Sequence, residues 1–112
     1  KWAMAAATLC SMLATAEAQT VEQKNALYQI ADATLVEQRC SSLILNENVV
    51  ALLALAFNLR SENLDRFAPI MSARLAENYP VVEAMDEKTA CLKGRELFGP
   101  DGSNIRNLLV GN

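Results

Sequence analysis

Cys40 and Cys91, 51 positions apart, constrain this chain more than any other pair of its residues, because a bond between them ties distant segments into one body. Whether they bond depends on where the chain is delivered, and that question turns on the third cysteine. Cys10 lies within "WAMAAATLCSMLATA", an uncharged stretch that follows Lys1 and precedes "AEA" and Gln19. A basic residue, a short apolar run and small residues at Ala16 and Ala18 make the pattern of a secretory signal peptide. Residues 1–18 are therefore expected to be a cleaved leader and residues 19–112 a single domain. A cut after Ala16, an uncleaved anchor and a first bundle helix are the competing readings. An anchor needs about twenty apolar residues to cross the hydrocarbon layer, and this run is shorter. A lipoprotein site carries a small residue before its cysteine, whereas Leu9 precedes Cys10.

Removal of residues 1–18 takes away Lys1 and Glu17 and leaves 94 residues with nine basic and twelve acidic side chains, still a net charge of -3. It also leaves two cysteines. Bacterial-type export to the periplasm or the medium is the expected localisation, and in an oxidising compartment an even pair reads as a disulfide. A loop of this length contributes about 4 kcal/mol in the chain-entropy model, a large share of a small domain's stability. A redox or zinc site is the alternative. No CxxC spacing is present and the chain has no histidine, so a typical zinc set is incomplete.

The fold class expected is all-α: a small four-helix bundle-like domain with a short fifth helix at the C-terminus and one disulfide. Apolar residues make up 52% of the chain, mostly Ala, Leu and Val, and Gly and Pro together number seven; such a composition favours helices. Thr20 and Gln23 have capping-box spacing, and Ala26, Ile30, Ala33, Cys40 and Ile44 keep to one stripe, which predicts a helix over about 21–43. "NEN" breaks it, and nine apolar residues from Val49 to Phe57 predict a second helix covered on most sides. A docking surface or a lipid-holding face is the other reading of that run. Leu64, Phe67, Ala68, Met71, Leu75 and Tyr79 form a third helical face, with Pro69 expected to kink or break it near Phe67. Pro80 is placed to open a fourth helix. Ser103 is expected to cap the fifth, carrying Ile105, Leu108, Leu109 and Val110.

Few residues suggest chemistry. The absence of histidine removes the commonest general base and the Ser-His and Cys-His pairs, and no SxxK or nucleotide-binding glycine pattern occurs. Glu83, Asp86 and Glu87 fall within one helical turn, where carboxylates share a proton or hold a cation in some sites, but early in a helix they are more often a solvated face. No cofactor or metal is expected, and the chain is not expected to be an enzyme. The charge of -3 lacks the basic stripe a nucleic-acid binder needs. Membrane attachment is expected only through an uncleaved leader, and a homo-oligomer stays open.

"KGRELFGPDGSN", residues 93–104, is the most individual stretch. Lys93, Arg95, Leu97, Phe98, Pro100 and Asp101 form a candidate interaction surface; the competing reading is a helix stop with Leu97 and Phe98 anchored in the core. In size and in the spacing of Cys40 and Cys91 the chain is similar in outline to the HdeA and HdeB acid-stress chaperones of the bacterial periplasm. That similarity implies a disulfide between helices and a surface, exposed when acid loosens the fold, that holds unfolded clients. The expected function is that of a small exported helical protein that binds another protein, chaperone-like or as an accessory subunit. The alternative is a carrier of a small apolar ligand, in a cavity among Leu52, Leu55, Phe67 and Met71. The exported protein is predicted to have the intact mass of residues 19–112 with one disulfide and no lipid; a mass that retains residues 1–18 would contradict the leader.

Overall fold

The computed structural model describes the backbone from Trp2 and the side chains of residues 21–112, so residues 1–18, the expected leader, lie outside the residues whose side chains are described. Four helices and a short antiparallel ladder follow in the order α1 (Trp2–Arg39), β1 (Leu43–Leu45), α2 (Glu47–Ala56), α3 (Leu64–Glu83), α4 (Glu87–Phe98) and β2 (Leu109–Gly111), with a single 3-10 turn at Ser61–Asn63. The domain is all-α, as its composition predicts.

Ala26, Leu27, Ile30, Ala31, Ala33, Leu35 and Val36 give α1 a continuous buried stripe at steps of three and four. α1 does not start at a Thr20 cap. It runs through that position, and Gln23 instead donates to the Phe57 carbonyl (2.8 Å) and accepts from Arg66 (2.9 Å). It also stops at Arg39, four residues earlier than its apolar spacing predicts. The Ser41 N–H and hydroxyl both turn to the Glu87 carboxylate, so the backbone donor that would continue the helix is satisfied by a distant side chain. Leu43–Leu45 then pair with Leu109–Gly111 in the register Leu43 to Gly111, Ile44 to Val110 and Leu45 to Leu109.

That ladder replaces the expected fifth helix. Gly102 N–H bonds the Gly99 carbonyl (3.0 Å), while Ser103 and Asn104 N–H groups bond the carbonyls of Glu96 and Leu97 (3.1 and 2.9 Å). The Asn107 N–H, the first that a helix capped by Ser103 would need for the Ser103 carbonyl, bonds the Gly99 carbonyl instead (3.1 Å). Asn107 takes a positive φ of 62°, which redirects the chain so that Leu108 and Leu109 enter the core.

α3 carries both Pro69 and Pro80 inside one uninterrupted helix. Of the kink or break expected near Phe67 the break is therefore not found, and no fourth helix opens at Pro80. Packing along α1 holds α3 together: Arg74 donates twice to Asp32 (3.0 Å each), Asn78 donates to the same carboxylate (2.6 Å), and the guanidinium lies 4.8 Å from the Tyr28 ring centre. α4 begins later, where Asp86 accepts from the Thr89 N–H (2.7 Å) as an N-cap.

Cys40 and Cys91 form a disulfide, with Cα atoms 5.2 Å apart, that joins the end of α1 to α4. It lies in a core of Ala33, Val36, Leu43, Phe98, Leu108 and Leu109. Gly94 lets α4 come close there, because a Cβ at this position would lie 2.7 Å from Leu43 Cδ1 and 2.8 Å from Val36 Cγ1. Both neighbours are buried. An alanine gains about 1 kcal/mol of helix propensity, less than the roughly 1–3 kcal/mol that overpacking costs. Gly94→Ala is predicted to lower the thermal midpoint and Gly94→Val to lower it further; an unchanged or raised midpoint for Gly94→Ala would mean a looser joint.

Candidate interaction surface

α2 is built from residues that favour a helix but leave it no polar side. Asn46 caps its start by accepting from the Asn48 N–H (3.1 Å), and the Phe57 and Leu59 N–H groups close its end on the Leu53 and Ala54 carbonyls. Asn58, with a φ of 56°, then turns the chain toward α3, a conformation asparagine tolerates better than most residues. Val49, Val50 and Leu53 face the core and pack on it. The opposite row holds Asn48, Ala51, Leu52 and Leu55, and here the expectation of a helix covered on most sides is overturned. No residue of α2 is buried; Leu52 is 64% exposed and Leu55 77%. The physical reason is geometric. α1 is occupied by α3 along one flank and by α4 along another, so α2 reaches the core only by its inner row.

The expected cavity among Leu52, Leu55, Phe67 and Met71 is likewise divided. Phe67 and Met71 line an open groove between α1 and α3, whereas Leu52 and Leu55 do not. Leu59 and Leu64 complete that groove. Leu64 belongs to the apolar row of α3 that the sequence shows, yet it is 59% exposed. Leu59 carries no periodic signal, and only the turn at Asn58 brings it there.

The stretch at residues 93–104 divides differently. Phe98 is fully buried and Leu97 half-buried against the same core, so this pair anchors α4. Lys93, Arg95, Pro100 and Asp101 remain exposed, with Lys93 3.7 Å from Glu96 in a surface pair. Gly102 is required in the turn, since a Cβ would meet the Leu97 carbonyl oxygen at 2.4 Å.

The three carboxylates are separated by local structure. Glu83 is exposed near the end of α3, beside a notch of about 80 Å³. Asp86 caps α4, and the hydrogen bonds from Thr89 hold its carboxyl below the usual range. Glu87 accepts from Ser41, which lowers its pKa likewise. Neither Asp86 nor Glu87 has the raised pKa a general acid requires near neutrality. Among the described residues no group of three or more His, Cys, Asp or Glu side chains is placed to hold a metal, and no helix is long and apolar enough to cross a membrane.

Compared with known families, curated proteins and solved structures, the chain matches none. The similarity in outline to the acid-stress chaperones thus rests on Cys40, Cys91 and size.

Because Asp86 and Glu87 have lowered pKa values in the folded state, their contribution to stability is present above the unfolded pKa values and lost as pH falls through the folded ones. The thermal midpoint is predicted to fall below about pH 4.5, the unfolded carboxylate range, and the fall to be smaller in the Asp86→Asn/Glu87→Gln double variant. An identical pH profile for the two proteins would contradict that linkage.

Proposed function

We propose that this chain is a small exported protein, delivered to the periplasm or secreted, that acts by binding another protein through the outer face of α2. The observation that carries the reading is the exposure of Leu52 and Leu55 on a helix whose single charged residue is Glu47. Solvent-facing helix rows ordinarily carry charge, and apolar residues that adjoin one another on an exposed face supply the contiguous patch that interaction sites use. Two further features support it. The Cys40–Cys91 disulfide suits an oxidising compartment, and it fixes the core against which α2 rests without drawing on α2 itself.

A photo-crosslinking side chain placed at position 52 or 55 is predicted to give a discrete protein adduct in the exported fraction of the producing cell. The same probe at position 93 or 101 is predicted to give none. With the probe at Ala56, the Leu52→Glu/Leu55→Glu double change is predicted to abolish the adduct while leaving the thermal midpoint within a few degrees, since neither leucine is buried. Adducts from 93 or 101 alone, or from no position, would contradict the assignment.

A further inference from the structure

The groove between α1 and the N-terminal half of α3 has a volume of about 360 Å³. Leu27 from α1, Leu59 from the connection and Leu64, Phe67 and Met71 from α3 give it apolar walls. Its polar lining consists of Arg60, Ser61 and Ser72, with no carboxylate. From Leu64 to Ser72 the helix rises about 12 Å at 1.5 Å per residue, so Arg60 and Ser61 precede one end of an apolar track and Ser72 ends the other. Arg60 is exposed, and its Nη1 lies 3.7 Å from Glu62 Oε1, a loose surface pair. The same end holds the start of α3, whose Asn63 side chain makes no capping bond and whose first turn carries Asp65, which offsets the helix dipole and leaves Arg60 as the cation of the lining.

We propose that this groove binds a free fatty acid, its carboxylate on Arg60 and Ser61 and its chain along Leu64, Phe67 and Met71. The apolar walls select hydrocarbon, and a guanidinium at one end of a lining without carboxylates selects an anionic head. The volume lies near the lower end of ligand pockets, about 300–1,000 Å³. That space matches a single acyl chain laid along the groove. Leu52 and Leu55 do not line the groove, so the proposal stands or falls apart from the reading of α2.

The test uses the full, delipidated, disulfide-intact chain and the fluorescence of cis-parinaric acid, which rises in apolar surroundings. Saturable binding is expected, with displacement by dodecanoate about tenfold tighter than by dodecanol, the value of one charge-assisted hydrogen bond. Arg60→Gln is expected to weaken dodecanoate about tenfold, and Glu62→Gln, which removes the competing carboxylate, to strengthen it. Both residues are exposed, so an unchanged circular dichroism spectrum and thermal midpoint are expected for each variant. Absence of saturable binding, equal displacement by dodecanol, or an Arg60→Gln variant with unchanged affinity would each overturn the proposal. Sedimentation of the protein with phosphatidylglycerol vesicles would also overturn it, by showing a membrane-docking face in place of a single-chain site.

Discussion

The close approach of α4 to the end of α1 is the joint from which the remaining structure follows. Gly94 permits it and the Cys40–Cys91 bond locks it. The Ser42 hydroxyl lies beside the S–S bond, 3.3 Å from Cys40 Sγ and 3.5 Å from Cys91 Sγ. Since α4 must meet Val36 and Leu43 here, α1 ends at Arg39 and the chain beyond it is drawn out as a strand. That strand needs a partner for its backbone groups, and Leu109–Gly111 supplies one. Carboxylate and amide side chains fasten the surrounding turns to α1: Glu37 accepts from the Leu45 N–H and Gln29 from the Ile105 N–H.

α2 stands outside this economy. Its inner row closes the core, but neither the disulfide nor the Asp32–Arg74 clamp between α1 and α3 involves it. The helix is thereby positioned by the rest of the fold and left with leucines facing water, an arrangement that costs free energy in isolation and is relieved when a partner covers it. The groove beside α3 arises in the same way, because the fold buries all but an edge of Phe67 and leaves Leu64 59% exposed.

Elements with strong periodic patterns were legible in the amino-acid sequence. The stripe of α1, the polar break before α2 and the apolar row of α3 follow from spacing, and the pairing of Cys40 with Cys91 from the even number of cysteines that remains once Cys10 is set aside. The boundaries were less so. Ser41 ended α1 early through a carboxylate 46 positions away, at Glu87, and no local pattern announces such a partner. Pro80 has the character of a helix start and lies inside α3, because Asp86 is the residue that finds a capping N–H. Residues 103–110 have capping and apolar residues suited to a short helix, yet the Asn107 N–H that would close its first turn bonds the Gly99 carbonyl. Of the candidate surface at residues 93–101, the charged and turn residues are exposed, while Phe98 proves indispensable to the core. The exposure of α2 was hidden for a related reason: nine apolar residues in a row look the same whether a helix is covered on every side or on one.

Solvent paramagnetic relaxation of the leucine methyl groups, measured on the disulfide-intact chain with a soluble relaxation agent, tests this central claim most directly. Leu52 and Leu55 are predicted to relax strongly, as Leu64 and Leu92 do, while Leu108 and Leu109 stay protected. Protection of Leu52 and Leu55 equal to that of Leu108 and Leu109 would show that α2 is covered within the molecule, and would contradict the account.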